Sequence, residues 1–188
     1  QLSIKISYSK TEFILIYYDL VFKSLVKINL VKWLKSRLAK NNSERAEALA
    51  ALMLTAKGVP FVYYGEEIGM ENIEANSLDE MMDIQARTHY KIALKNGKPK
   101  EQAIKIGNDY NRDKSRSPMQ WNDGKYGGFS NEKAWIKVNH NHMKVNVENL
   151  EKNKSSLLNK YKKLISLRNS EKVLQYGQYA QLSFLNDL

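Results

Sequence analysis

The stretch Thr55-Ala-Lys-Gly-Val-Pro-Phe-Val-Tyr-Tyr-Gly-Glu-Glu-Ile-Gly-Met70 decides how this chain is read. Upstream of it, Asn41-Asn42-Ser43 offers a helix N-cap, and Glu44 suits the positive end of a helix dipole. Leu49, Leu52, Met53 and Ala56 then recur at helical spacing, and Gly58 supplies a stop, so a helix is expected over 44–57. Val59-Pro60-Phe61-Val62-Tyr63-Tyr64 is a short continuous apolar run, the pattern of a strand buried on both faces of a parallel sheet. Helix, short turn and buried strand make one unit of an α/β fold. Glu66 and Glu67 follow at the strand end, where such folds place functional groups. Adjacent strand-end side chains point opposite ways, so the expected role is loop support, with one carboxylate accepting backbone N–H groups.

Composition bounds the rest. The chain has 188 residues, of which 43% are hydrophobic and 27% charged, enough apolar content for a packed core. It has no Cys, which excludes disulfides, a thiol nucleophile and Cys-ligated metals. His140 and His142 fall on one side of an extended segment, but no third ligand stands nearby, so no metal and no other cofactor is expected. The net charge is +10. Eight of the 30 basic residues lie in the first 40 positions against two acids there, Glu12 and Asp19. Lysines interleaved with Tyr17, Tyr18, Phe22 and Trp33 raise the idea of single-stranded nucleic acid, but no recognition motif accompanies them, and none is expected as a partner. The longest apolar run, Phe13 to Tyr18, is far shorter than the roughly 20 residues a membrane span needs. No membrane partner, no signal peptide and a cytoplasmic location are expected, and Gln1 in place of Met points to a start inside a longer protein.

Farther along, weak patterns favour a strand near 12–18 and a helix near 22–39. A helix is expected around 78–96, carrying Met81, Met82, Ile84 and Ala86. Residues 107–132, with Gly107, Pro118, Gly124, Gly127 and Gly128, read as a long ordered loop under which Trp121 and Trp135 pack. Ser155 or Ser156 caps a helix with Leu157, Leu158, Tyr161, Leu164 and Ile165 inside. Lys160, Lys162, Lys163 and Arg168 form its solvated side. From Tyr176 to Phe184 the pattern alternates as in a strand.

Four segments taken together resemble the end of a glycoside hydrolase family 13 catalytic domain, in its oligo-1,6-glucosidase and α-glucosidase branch. They are 55–70, Asn111-Arg-Asp-Lys-Ser-Arg-Ser-Pro-Met-Gln-Trp-Asn122, Gly127-Gly-Phe-Ser130 with Trp135-Ile-Lys-Val-Asn139, and Leu157 to Arg168. The resemblance covers roughly 36–184 and implies a partial (β/α)8 (TIM) barrel, its C-terminal portion only, with the first strand of a following β-sandwich domain. It places 1–35 outside the family pattern, 36–172 in the barrel, and 173–188 at the start of the sandwich.

What the resemblance implies for chemistry is mostly a deficit. Retaining glycosidases use a nucleophile and an acid roughly 5 Å apart. In this family both follow strands upstream of Gln1, and a third acid in an Asn-His-Asp motif is expected near Ile28-Asn29-Leu30, where neither His nor Asp stands. A shifted reading frame over the first 35 residues, or a decayed gene, explains this. No catalytic residue is therefore assigned. Arg112 matches an arginine that contacts the terminal glucose beside an aspartate from the barrel's start, so in this chain it is expected to lack its partner. Gln85 matches a position near the second sugar. Asp113 and Arg116 are expected to brace the loop. The implied activity of an intact relative is hydrolysis of α-glucosidic bonds in short gluco-oligosaccharides. A non-catalytic carbohydrate-binding or structural remnant, and a glucosyl-transferring, trehalose-forming relative, stand as alternatives.

Overall fold

Helices are the only regular elements among the described residues, and the longer ones begin where the sequence supplies a side-chain cap or a proline. The structure is a computed structural model that describes residues 34–177, all within the unit Leu30–Gly177. After a short α1 (Leu34–Arg37), α2 (Ser43–Thr55) starts at Asn42, whose side chain accepts the Arg45 N–H. Asp83 caps α3 (Ile84–Lys95), and Pro99 precedes α4 (Lys100–Asp109). Asn146 caps α5 (Val147–Lys152), Ser156 caps α6 (Leu157–Ser170), and α7 (Lys172–Tyr176) follows. Such caps satisfy N–H groups that the first turn cannot.

Two helix pairs organise the core. Helices α3 and α4 pack on each other through Ala86, Tyr90, Ala93 and Ala103, with Met81 and Ala75 sealing the end. At Gly107 a Cβ would meet Met81 Cε at 2.9 Å and the Ala86 carbonyl at 3.1 Å, so only a glycine lets the helices approach this closely. Helix α2 packs on α6. Its buried face is Ala46, Ala50, Met53 and Leu54, while Leu49 and Leu52 are half-buried.

Several expectations are corrected here. Residues 59–64 form no strand: Val59 is 77% and Phe61 70% exposed. An extended segment becomes a strand only where a neighbour takes its N–H and C=O groups; no strand is present among the described residues, and Pro60 removes one donor. The helix expected over 78–96 is split, because Asp83 caps a new start and leaves only a 3₁₀ turn at Leu78–Glu80. Met82 and Ile84 are consequently exposed. Trp121 and Trp135 are exposed too and do not pack under the loop. Residues 107–109 belong to α4, and Tyr176 ends α7. Arg168 is buried, not solvated: it donates to the carbonyls of Leu54 and Ala56, each at 2.9 Å, and to that of Gly58. A guanidinium on the carbonyls at and just past the end of α2 satisfies acceptors the helix leaves open and complements the negative end of its dipole. The expected strand at 12–18, residues 178–184 of the expected strand at 176–184, and most of the helix at 22–39 lie outside the described residues.

Candidate functional site

The residues expected to matter meet at the N-terminus of α3. Asp83 caps that helix by accepting the Gln85 N–H at 3.2 Å. The same carboxylate receives Arg112 three ways: from its backbone N–H at 2.8 Å, from Nε at 2.8 Å and from Nη2 at 2.6 Å. Asp83 is buried, whereas the Arg112 side chain keeps 39% of its surface open. Arg112 therefore has a carboxylate partner in Asp83, a different residue from the barrel-start aspartate that the resemblance implies. The guanidinium beside Asp83 holds its carboxyl down to about 2.

The loop that carries Arg112 is built from local hydrogen bonds. Asn111 caps a 3₁₀ turn, Arg112–Ser115, by accepting the Asp113 N–H at 3.0 Å. Asp113, also buried, accepts the N–H groups of Met82 at 2.8 Å and Asp83 at 3.0 Å. The Arg116 N–H closes the turn onto the Asp113 carbonyl at 3.0 Å. Gln120 is fully buried and donates to Asn141 and to the Val145 carbonyl. Val147 and Glu148 in turn donate their N–H groups to the carbonyls of Gln120 and Trp121 at 3.0 Å each. Gln85 lies exposed in the first turn of α3. Further along that helix, His89 Nδ1 meets the Gln85 carbonyl at 3.1 Å and the His89 ring stacks on Tyr110.

Glu66 and Glu67 lie apart from this corner, in the turn of 65–70. Glu66 accepts the Tyr63 N–H at 3.3 Å. Glu67 is half-buried with its Oε2 lacking a hydrogen-bond partner, and burial pushes its carboxyl up. The Tyr161 hydroxyl is likewise buried without a partner; burial and then the charges of Glu66 and Glu67 push it up. The Tyr63 and Tyr64 hydroxyls tie this end of the segment to the Arg112 loop by donating to the Ser115 carbonyl at 3.1 Å and the Ser117 carbonyl at 3.0 Å. Among the described residues no three His, Asp or Glu side chains converge to hold a metal ion. No described helix is long and apolar enough to cross a membrane.

Sequence reasoning named Arg112, Asp113 and Gln85 but missed Asp83, the residue that joins them. Its signal was present: a helix-capping residue type two positions before Gln85, in a stretch read instead as helix interior.

Comparison with known proteins decides the family. Residues 31–177 match the family described as alpha amylase, catalytic domain. The chain belongs to that family. Within the family, it is 38% identical over 147 residues to an oligo-1,6-glucosidase of Halalkalibacterium halodurans, covering 77% of this chain and 26% of the relative. An oligo-1,6-glucosidase of Bacillus cereus is 39% identical over 137 residues, covering 72% of this chain and 25% of the relative. Among solved structures, a Bacillus licheniformis trehalose-6-phosphate hydrolase superposes with a TM-score of 0.73 at 31% identity, over 78% of this chain and 27% of that one. An isomaltulose synthase of Erwinia rhapontici gives a TM-score of 0.65 at 34% identity, over 74% and 25%. This family-13 chain thus spans about a quarter of the length of the relatives it matches. The solved relatives are barrel enzymes, and the described residues correspond to a portion of that domain.

Proposed function

We propose that this family-13 polypeptide takes part in hydrolysis of α-glucosidic bonds in short gluco-oligosaccharides. On this reading, residues 36–172 form the C-terminal part of the catalytic barrel, and 173–188 begin the sandwich domain. Residues 34–177 furnish a wall that holds the sugar, with Arg112 and Gln85 as its polar contacts. The observation that carries the reading is the half-open Arg112 fork, seated on buried Asp83 at the head of the helix that bears Gln85. A guanidinium so placed can donate to adjacent sugar hydroxyls while its charge stays balanced. The oligo-1,6-glucosidase relatives support the choice of an α-glucoside.

Cleavage itself needs more than this wall. A retaining mechanism proceeds through attack by one carboxylate at the anomeric carbon while a second carboxylic acid protonates the departing oxygen; water then releases the sugar from the first. We assign neither group to this chain. The purified 188-residue chain is expected to release no glucose from isomaltose, maltose or a nitrophenyl α-glucoside. Turnover above a protein-free blank, abolished by heat, overturns that part of the proposal.

A second reading is glucosyl transfer in place of hydrolysis, which the likeness to an isomaltulose synthase favours. A longer polypeptide containing this segment, incubated with sucrose, separates the two by its products: isomeric disaccharides for transfer, glucose and fructose for hydrolysis.

A further inference from the structure

Arg112 is held in a way that divides its donors into two sets. A guanidinium has five N–H bonds in a fixed plane. Two of them, on Nε and Nη2, run to the two oxygens of Asp83 at 2.8 and 2.6 Å. The other three, two on Nη1 and one on Nη2, lie on the edge turned away from that carboxylate. The Asp83 side chain has no exposed surface, while the Arg112 side chain keeps 39% of its own. The pair is closed on the acid side and open on the base side.

Asp83 also controls where that open edge sits. Its Oδ2 accepts the backbone N–H of Arg112 at 2.8 Å, so one carboxylate fixes the main chain and the side chain of the same residue. Its Oδ1 accepts the Gln85 N–H at 3.2 Å and sets the start of α3. Asp83 is itself fixed from behind, because Asp113 accepts its N–H at 3.0 Å and that of Met82 at 2.8 Å. A capping role alone would be met by Asn or Ser; the forked contact with a guanidinium needs a carboxylate.

Building on the proposed function, we propose that Asp83 is a positioning residue: it locks the Arg112 guanidinium so that the three outward N–H donors face the hydroxyls of a glucosyl unit. An arginine immobilised before binding spares the ordering that a free side chain would undergo on meeting the sugar.

The test uses the full chain, with isomaltose as the probe, followed by NMR titration alongside the ¹⁵Nε signal of Arg112. Asp83→Asn keeps the cap and the volume but removes the charge and replaces one acceptor by an amide. The parent chain is expected to show a slowly exchanging Arg112 Nε–H. In D83N that protection is lost and isomaltose binds about tenfold more weakly, the scale of one charge-assisted hydrogen bond. Arg112→Lys keeps the positive charge, leaves the Asp83 cap untouched and cannot fork; it is expected to weaken binding equally, and it serves as the test if D83N does not fold. Unchanged affinity in D83N or R112K, with weakened binding by Arg112→Ala, overturns this inference alone. Equal behaviour of R112A and the parent chain, including no binding by either, overturns the proposed function and this inference with it.

Discussion

Asp83 and Asp113 each hold the main chain of the other's segment: Asp83 accepts the N–H of Arg112 at 2.8 Å, and Asp113 accepts the N–H of Asp83 at 3.0 Å. Two segments 30 positions apart are thereby joined by reciprocal carboxylate–amide bonds, with the Arg112 fork laid across the join. The arrangement makes the corner sensitive to acid. The Asp83 carboxyl is held at about 2, below its ordinary 3.8. A carboxyl lowered on folding stabilises the fold above the ordinary value and loses that contribution as pH falls through the lowered one. The contribution is about 1–2 kcal/mol after allowing for the solvent around half-open Arg112. Melting temperatures of the parent chain and D83N are expected to differ above pH ~4 and to converge near pH ~2. Parallel curves across that window would show that the Asp83 charge does not stabilise the corner.

Arg168 governs stability at a distance from the candidate site. Its guanidinium is buried and donates to the carbonyls of Leu54, Ala56 and Gly58. Arg168→Ala leaves these acceptors without the donor and opens a void between α2 and α6, at a cost of about 3 kcal/mol. Arg168→Lys restores one ammonium in place of the fork and recovers part of the loss. Urea denaturation measures both. A midpoint unchanged in R168A would mean that water serves these carbonyls equally well.

Glu67 carries the opposite sign. Burial raises its carboxyl above the ordinary value, and Oε2 has no hydrogen-bond partner. A carboxyl raised on folding favours the unfolded state once pH passes the ordinary value, because the unfolded chain gives up its proton first. Glu67→Gln is therefore expected to raise the melting temperature by a few degrees at pH 7 and to change nothing below pH ~4. Tyr161→Phe, which deletes a buried hydroxyl without a partner, is expected to be neutral or stabilising. A drop in stability for E67Q at pH 7 would show that the charged carboxylate has a favourable partner.

Much of the helical frame was legible in the sequence. Asn42 and Ser156 are caps read directly from residue type, and the helices behind them follow. The Arg112–Trp121 stretch announced both family and loop. What was hidden depended on tertiary contact. Helix α4 offers Ala103 and Gly107 to the core, side chains too small to mark an apolar face. Arg168 reads as one more solvated base beside Lys162 and Lys163 until α2 ends against it. The run 59–64 has the composition of a buried strand, but a strand is a relation between two segments, and composition describes only one. Asp83 was passed over because Met81, Met82, Ile84 and Ala86 gave the impression of continuous helix around it, although its carboxylate begins the helix.

A backbone ¹H–¹⁵N titration of the 188-residue chain with isomaltose tests the central claim most directly. The account predicts saturable shifts concentrated at Gln85, Arg112 and Asp113, absent in R112A and absent when a sugar lacking adjacent hydroxyls replaces isomaltose. Shifts centred on any other surface, or none at saturating sugar, would contradict it.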